Sequence, residues 1–201
     1  PDLAKKLGTP DACTNCHTDQ TQDWAAENFK NWWGAGPRNA HYGEILASAR
    51  AGEPGSMDRL IALANDPSRP GIVRAAAVEV ISRQPQTPET MRALERGLAD
   101  SDPVVRNQAL GALLFVPMER RITLAAPLLD DPTKSVRISA VRALAPARGQ
   151  LTETQQVAFN LAAEEYIAKQ NAISDRAAGH MDLALFYSDL GELDKAEAAY
   201  R

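Results

Sequence analysis

The chain has 201 residues, 44% hydrophobic and 24% charged, with a formal net charge of −4 and only two cysteines. That length allows one or two domains with real cores. No apolar run approaches the roughly 18 residues that cross a bilayer, and no segment forms a basic stripe, which excludes a membrane span in this chain and a nucleic-acid partner. Acidic charge gathers late, with 4 basic and 9 acidic residues in 151–201. The first residue is Pro1 rather than Met, no signal-peptide core follows, and the closing "AEAAYR" stops within a helical pattern. The expectation is a piece of a longer protein.

Residues 1–50 have their own texture. Five of the eleven aromatics fall here, as Trp24, Phe29, Trp32, Trp33 and Tyr42, among few aliphatics. So short a segment makes a weak core alone, and a flat macrocycle lying against the rings would change that balance. Both cysteines lie in Cys13-Thr14-Asn15-Cys16-His17, the CxxCH pattern of c-type haem attachment. Two thiols three positions apart can reach the two vinyl groups on one porphyrin edge, and the adjacent imidazole of His17 can take the iron as proximal ligand.

Other chemistries fit the same residues. A zinc site would need His41 added to Cys13, Cys16 and His17 to complete four donors, with His180 a remote fifth. A thioredoxin-like redox pair needs a strand–helix context that this helical sequence does not offer. The pattern can also arise by coincidence. With haem bound, His41 is the leading sixth ligand, because a helix over Trp24 to Trp33 could return the chain across the ring; the alternative is a surface histidine packed on Tyr42. Met57, at an apolar helix position, and His180 are weaker candidates.

From about residue 55 the sequence repeats itself: "LANDPSRPGIVRAAAVEVI", "LADSDPVVRNQALGALL" and "LLDDPTKSVRISAVRAL" each run apolar residues, Asp-Pro, then Val-Arg and Ala. The Val-Arg arginines, Arg74, Arg106 and Arg137, are 32 and 31 residues apart, the period of a stacked helical array. Asp102 and Asp131 are expected N-caps, with Pro103 and Pro132 at the first helical positions. Val105, Ala109, Leu110 and Leu113, and likewise Val136, Ala140, Val141 and Leu144, mark one buried face per helix. The first helix of each pair is read from Met57, Leu60, Ile61 and Ala64, from Met91, Leu94 and Leu98, and from Ile122, Leu124, Ala125 and Leu128. Thr87-Pro88 starts the second of these, and Pro127 kinks or ends the third.

After Pro146 and Gly149, the capping box "TETQ" (Thr152 to Gln155) opens a helix to about Lys169. In "HMDLALFYSDLGELDKAEAAY" a further register begins at His180, with Ala196 and Tyr200 each 34 residues after Ala162 and Tyr166.

These motifs carry two resemblances. Residues 55 to 147 resemble three HEAT-like repeats, in which the Val-Arg arginines brace neighbouring units, and residues 151–201 resemble tetratricopeptide repeats cut off at Arg201. "LGTPDACTNCHTDQTQDWAAENFKNWWG" followed by "HYGEILASARAG" resembles the last haem segment of periplasmic multihaem cytochromes c that carry both repeat types, though no second CxxCH is present. The expected fold is all-α: an α-α superhelix, a right-handed solenoid of HEAT-like pairs followed by tetratricopeptide-type helices. Its expected parts are a haem segment at 1–50, HEAT-like repeats at 51–150 and tetratricopeptide-like repeats at 151–201.

The resemblance implies covalent haem c on Cys13, Cys16 and His17 and electron transfer with a redox partner or upstream haem domain. It further implies protein partners on the repeat surface and a periplasmic or otherwise extracytoplasmic location. No paired carboxylates, nucleophile–base set or phosphate-binding loop points to an enzyme. The alternative is a non-redox protein-binding scaffold whose CxxCH is vestigial or binds zinc.

Overall fold

The structure, a computed structural model, describes residues 1–34 and 41–200. Residues 35–40 of the expected haem segment, and Arg201, at which the tetratricopeptide-like pattern stops, lie outside the described residues. The described residues contain helices and no strand, and none of these helices is long and apolar enough to cross a membrane. The chain divides into two compact units, Pro1–Leu60 and Ile61–Arg201.

The first unit holds α1 (Asp2–Leu7), α2 (Gln22–Trp33), α3 (Tyr42–Arg50) and the start of α4 (Ser56–Ala64). Gly8, at φ 66°, takes the left-handed conformation that closes α1 and frees the chain to turn toward the CxxCH segment. Helices α1 and α2 pack together, with Lys5 paired to Asp23. Lys6 reaches Glu44 at 3.0 Å, and Gln22 donates to the Thr9 carbonyl at 2.8 Å. Apolar burial is thin: among the described residues of this unit, Ala25, Leu46, Ala49 and Leu60 are the buried hydrophobic ones. Polar ties therefore carry much of its definition.

The second unit runs through α5 (Gly71–Ser82), α6 (Pro88–Leu98), α7 (Pro103–Ala112), α8 (Met118–Ala125), α9 (Lys134–Leu144), α10 (Glu153–Asn171), α11 (Ala177–Asp189) and α12 (Leu193–Tyr200). The second helices of successive repeats, α5, α7 and α9, stack in order, with α6 against α7, α8 against α9 and α10 against α9. This is an α-solenoid. Val105, Ala109, Leu110 and Leu113, and Val136, Ala140, Val141 and Leu144, are all at most 1% exposed, so the face read from their spacing is the core. Met91, Leu94 and Leu98 are buried too. In α4 the buried apolar residues are Leu60, Leu63 and Ala64, with Met57 and Ile61 only half-buried.

Local signals account for the boundaries. Thr87 and Thr90 form a reciprocal capping box with Pro88 at the first helical position, and Thr152 and Gln155 form another. Asp102 accepts from Val104 N at 2.9 Å and caps α7. Pro127 ends α8, and the chain continues as a 3-10 turn over Ala126–Asp130. Asp131 departs from expectation: α9 begins at Lys134, with Thr133 in the capping position. The Asp131 carboxylate accepts from the Thr133 amide but is otherwise taken up by Arg106, so the helix starts later than the Asp-Pro pair suggests.

The three Val-Arg arginines form a ladder. Arg74 grips Asp100 through Nε (3.0 Å) and Nη2 (2.7 Å). Arg106 grips Asp131 in the same two-pronged way and adds its Nη1 to the carbonyls of Asp100 and Ser101. Arg137 grips Glu165 on α10 at 2.9 and 2.6 Å and reaches the Asp131 carbonyl with Nη1. Each guanidinium thus ties its own helix to the next element, and planar bidentate pairing fixes their spacing. These arginines are structural, and the last rung carries the array onto α10.

Candidate cofactor site

The CxxCH segment is a single preformed turn. Asp11, 8% exposed, accepts from the amides of Cys13 (2.9 Å) and Thr14 (3.1 Å) with one oxygen and from the Thr14 hydroxyl (2.7 Å) with the other. Hydrogen bonds from the Thr14 side chain and amide lead the causes that outweigh burial and hold its carboxyl below the ordinary carboxylate value. The Cys16 and His17 amides then fold back on the Cys13 carbonyl at 3.2 and 2.9 Å. Four residues of helical winding bring the two cysteines toward one side. Both are free thiols, Cys13 half-buried and Cys16 exposed.

Four residues after His17, Thr21 caps α2 by accepting from Trp24 N at 3.2 Å. Helical spacing puts Trp24, Asn28, Phe29 and Trp32 on the face of α2 that looks onto this turn. Between them lies a largely apolar cavity of about 270 Å³, whose walls include Cys13, Cys16, His17, Trp24, Phe29 and Trp32. The His17 and Trp24 rings lie 5.0 Å apart, Phe29 and Trp33 4.9 Å, and Trp32 and Trp33 meet edge to face at 5.3 Å. Phe29, Trp32 and Trp33 are nonetheless 47, 64 and 68% exposed. Three adjoining large rings left in water on one helix are unusual for a folded surface, and they flank two thiols and an imidazole.

The sequence-selected residues are therefore partly united. Cys13, Cys16 and His17 share the cavity, whereas His41 is not among its lining residues. His41 caps α3, its Nδ1 accepting from Gly43 N at 3.0 Å, and its ring lies 4.2 Å from that of Tyr42. Only its Nε2 is left for another partner. His180 is exposed, with its two ring nitrogens 3.2 and 2.9 Å from the carbonyls of Ala199 and Ser174. Among the described residues no three His, Cys, Asp or Glu side chains are grouped so as to hold a metal ion by themselves. Asp11 is the residue that sequence reasoning missed; a short acidic residue two positions before a turn is the only signal it gives.

The residue types present are those that c-type haem attachment uses: two free thiols three positions apart with an adjoining imidazole, beside a cavity walled by flat apolar rings.

The family described as HEAT repeats matches residues 40–114 and, in an overlapping second placement, residues 57–145, together more than half of the chain. No curated protein and no solved structure is significantly similar to it. The stacked pairs, the arginine ladder and this match agree, and the chain belongs to the HEAT-repeat family.

Proposed function

We propose that this chain is part of a periplasmic multihaem cytochrome c, an electron carrier and not an enzyme, in which a HEAT-repeat solenoid continuing into tetratricopeptide-type helices docks protein partners. The observation that carries this reading is the apolar cavity lined by Cys13, Cys16, His17 and the exposed rings of Phe29 and Trp32.

In this reading Cys13 and Cys16 would hold haem c through thioether links, and His17 would bind its iron. The bound group supplies one-electron oxidation and reduction at iron. Trp24, beside the His17 ring, limits how that imidazole can turn. Phe29, Trp32 and Trp33 would shield a bound haem from water, which would lower the local polarity and so bear on the potential. His41, with Nε2 uncommitted, is the proposed sixth ligand. The redox partner or an upstream haem domain exchanges the electron, and stacked repeats present an extended surface suited to a protein partner.

The test is production of the chain, preceded by an export signal, in a host with the cytochrome c maturation machinery, followed by haem staining of denatured protein. Covalent haem in the wild type and its loss in Cys13→Ala/Cys16→Ala support the proposal. A colourless wild type, produced beside a control cytochrome that matures normally, contradicts it and leaves a non-redox protein-binding scaffold.

A further inference from the structure

We propose that Asp11 is a positioning residue for haem attachment: its buried carboxylate presets the spacing of the Cys13 and Cys16 thiols before any haem arrives. The inference rests on the reading of CxxCH as a haem site.

The geometry is specific. Asp11 is among the few buried polar side chains in the described residues of the first unit, and the close hydrogen bonds to its carboxylate come from the attachment turn, with Gln22 of α2 a lesser contributor. Its Oδ1 takes the amides two and three residues ahead, the arrangement by which a capping side chain opens a helix. Its Oδ2 takes the Thr14 hydroxyl, fixing the residue that separates Cys13 from Asn15. The Cys16 and His17 amides close on the carbonyl of the same Cys13 whose amide Asp11 holds. Release of Asp11 would free the Cys13 and Thr14 amides and leave only the Cys16 and His17 amides on the Cys13 carbonyl to hold the turn, with neither sulfur in a disulfide.

Attachment makes a demand on this spacing. Each cysteine S–H adds across one vinyl C=C: the S–H and π bonds break, an S–C bond forms to one carbon, and the hydrogen passes to the other, with no net oxidation. Two such additions on one ring edge need both sulfurs at a fixed separation, and a turn already formed removes the entropy of finding it. Asp11 touches no reacting atom and acts through the backbone of Cys13 and Thr14.

The experiment compares wild type, Asp11→Ala and Asp11→Asn, where Asn keeps the acceptor oxygen for both amides without the charge. In the haem-free chain two readouts apply: hydrogen exchange at the Cys13 and Thr14 amides, and binding of phenylarsine oxide, which must bridge two nearby thiols. Asp11→Ala is expected to lower amide protection and arsenical affinity each about fivefold, the usual consequence of losing a cap, with Asn restoring most of both. In matured protein, Asp11→Ala is expected to give less covalent haem and a shifted haemochrome band marking a single thioether, again restored by Asn. Arsenical affinity and haem yield unchanged in Asp11→Ala overturn the inference. A wild type that takes no haem while Asp11→Ala still loses arsenical affinity removes the haem reading alone and leaves the positioning role supported.

Discussion

Arg106 on α7 donates to Asp131 from Nε at 2.8 Å and from Nη2 at 2.9 Å, and the two side chains are only 10 and 4% exposed. The pair joins one repeat to the next, so loss of either partner strands a charge in the interior. Asp131→Ala is expected to lower the unfolding free energy by about 3–5 kcal/mol. Glu165→Ala breaks the outer rung, whose side chains are 24 and 29% exposed, and is expected to cost about 1 kcal/mol. Urea denaturation of the two variants measures the order; equal costs would contradict the ladder as described.

Acid should weaken the same ladder. Burial pushes the Asp131 carboxyl up, but the hydrogen bonds from Arg106 and Thr133 and the Arg106 charge outweigh it and hold it below its ordinary value. Asp100 is held down in the same way beside Arg74, and Glu165 chiefly by the hydrogen bonds of Arg137. A carboxylate lowered on folding contributes stability that is fully present above its unfolded value and is lost as pH falls through its folded one. The ladder's contribution should therefore be constant from pH 7 to about pH 5 and fall below about pH 4. Thermal unfolding across that range checks it, with Asp131→Asn flattening the acid limb relative to wild type.

Gly71 opens α5, and a Cβ there would lie 1.7 Å from Asp102 Oδ2, the carboxylate that caps α7. Gly71→Ala must displace that side chain. Gly71→Ala and Asp102→Ala are each expected to cost about 1 kcal/mol. In the double variant the costs should not add, and alanine at 71 becomes neutral or favourable once the obstacle is gone. Calorimetry of the three proteins decides it; additive costs would contradict the contact.

Much of the second unit was legible in the sequence because its signals are local. The Asp102-Pro103 and Thr87-Pro88 starts, the stop at Pro127 and the four-residue apolar spacing all act within one or two turns. The rungs of the ladder were less so. The partner of Arg137 is Glu165 on α10, 28 residues on, where no repeat residue marks it, and the claim of Arg106 on Asp131 overrode that residue's expected capping role. In the first unit CxxCH pointed to the proposed chemistry, and the cavity required the fold, since it depends on α2 lying over the turn that Asp11 forms. Asp11 itself is a common residue in a loop, and its role is visible only in its hydrogen bonds.

Trp32 and Trp33 separate cofactor packing from stability. Both are mostly exposed, so Trp32→Ser and Trp33→Ser should each change the unfolding free energy of chain produced without haem by no more than about 0.5 kcal/mol. In matured protein the same changes should open the haem face to water and shift the reduction potential. A large loss of haem-free stability, or an unmoved potential, would contradict their assignment to the haem wall.

The account turns on a covalent bond at two sulfurs. Chain produced with the maturation machinery, digested with trypsin and analysed by mass spectrometry should yield a peptide containing Asp11 to Lys30 that carries one haem joined to both Cys13 and Cys16. The same peptide recovered with both thiols free to alkylation, from cells that mature a control cytochrome normally, would contradict it.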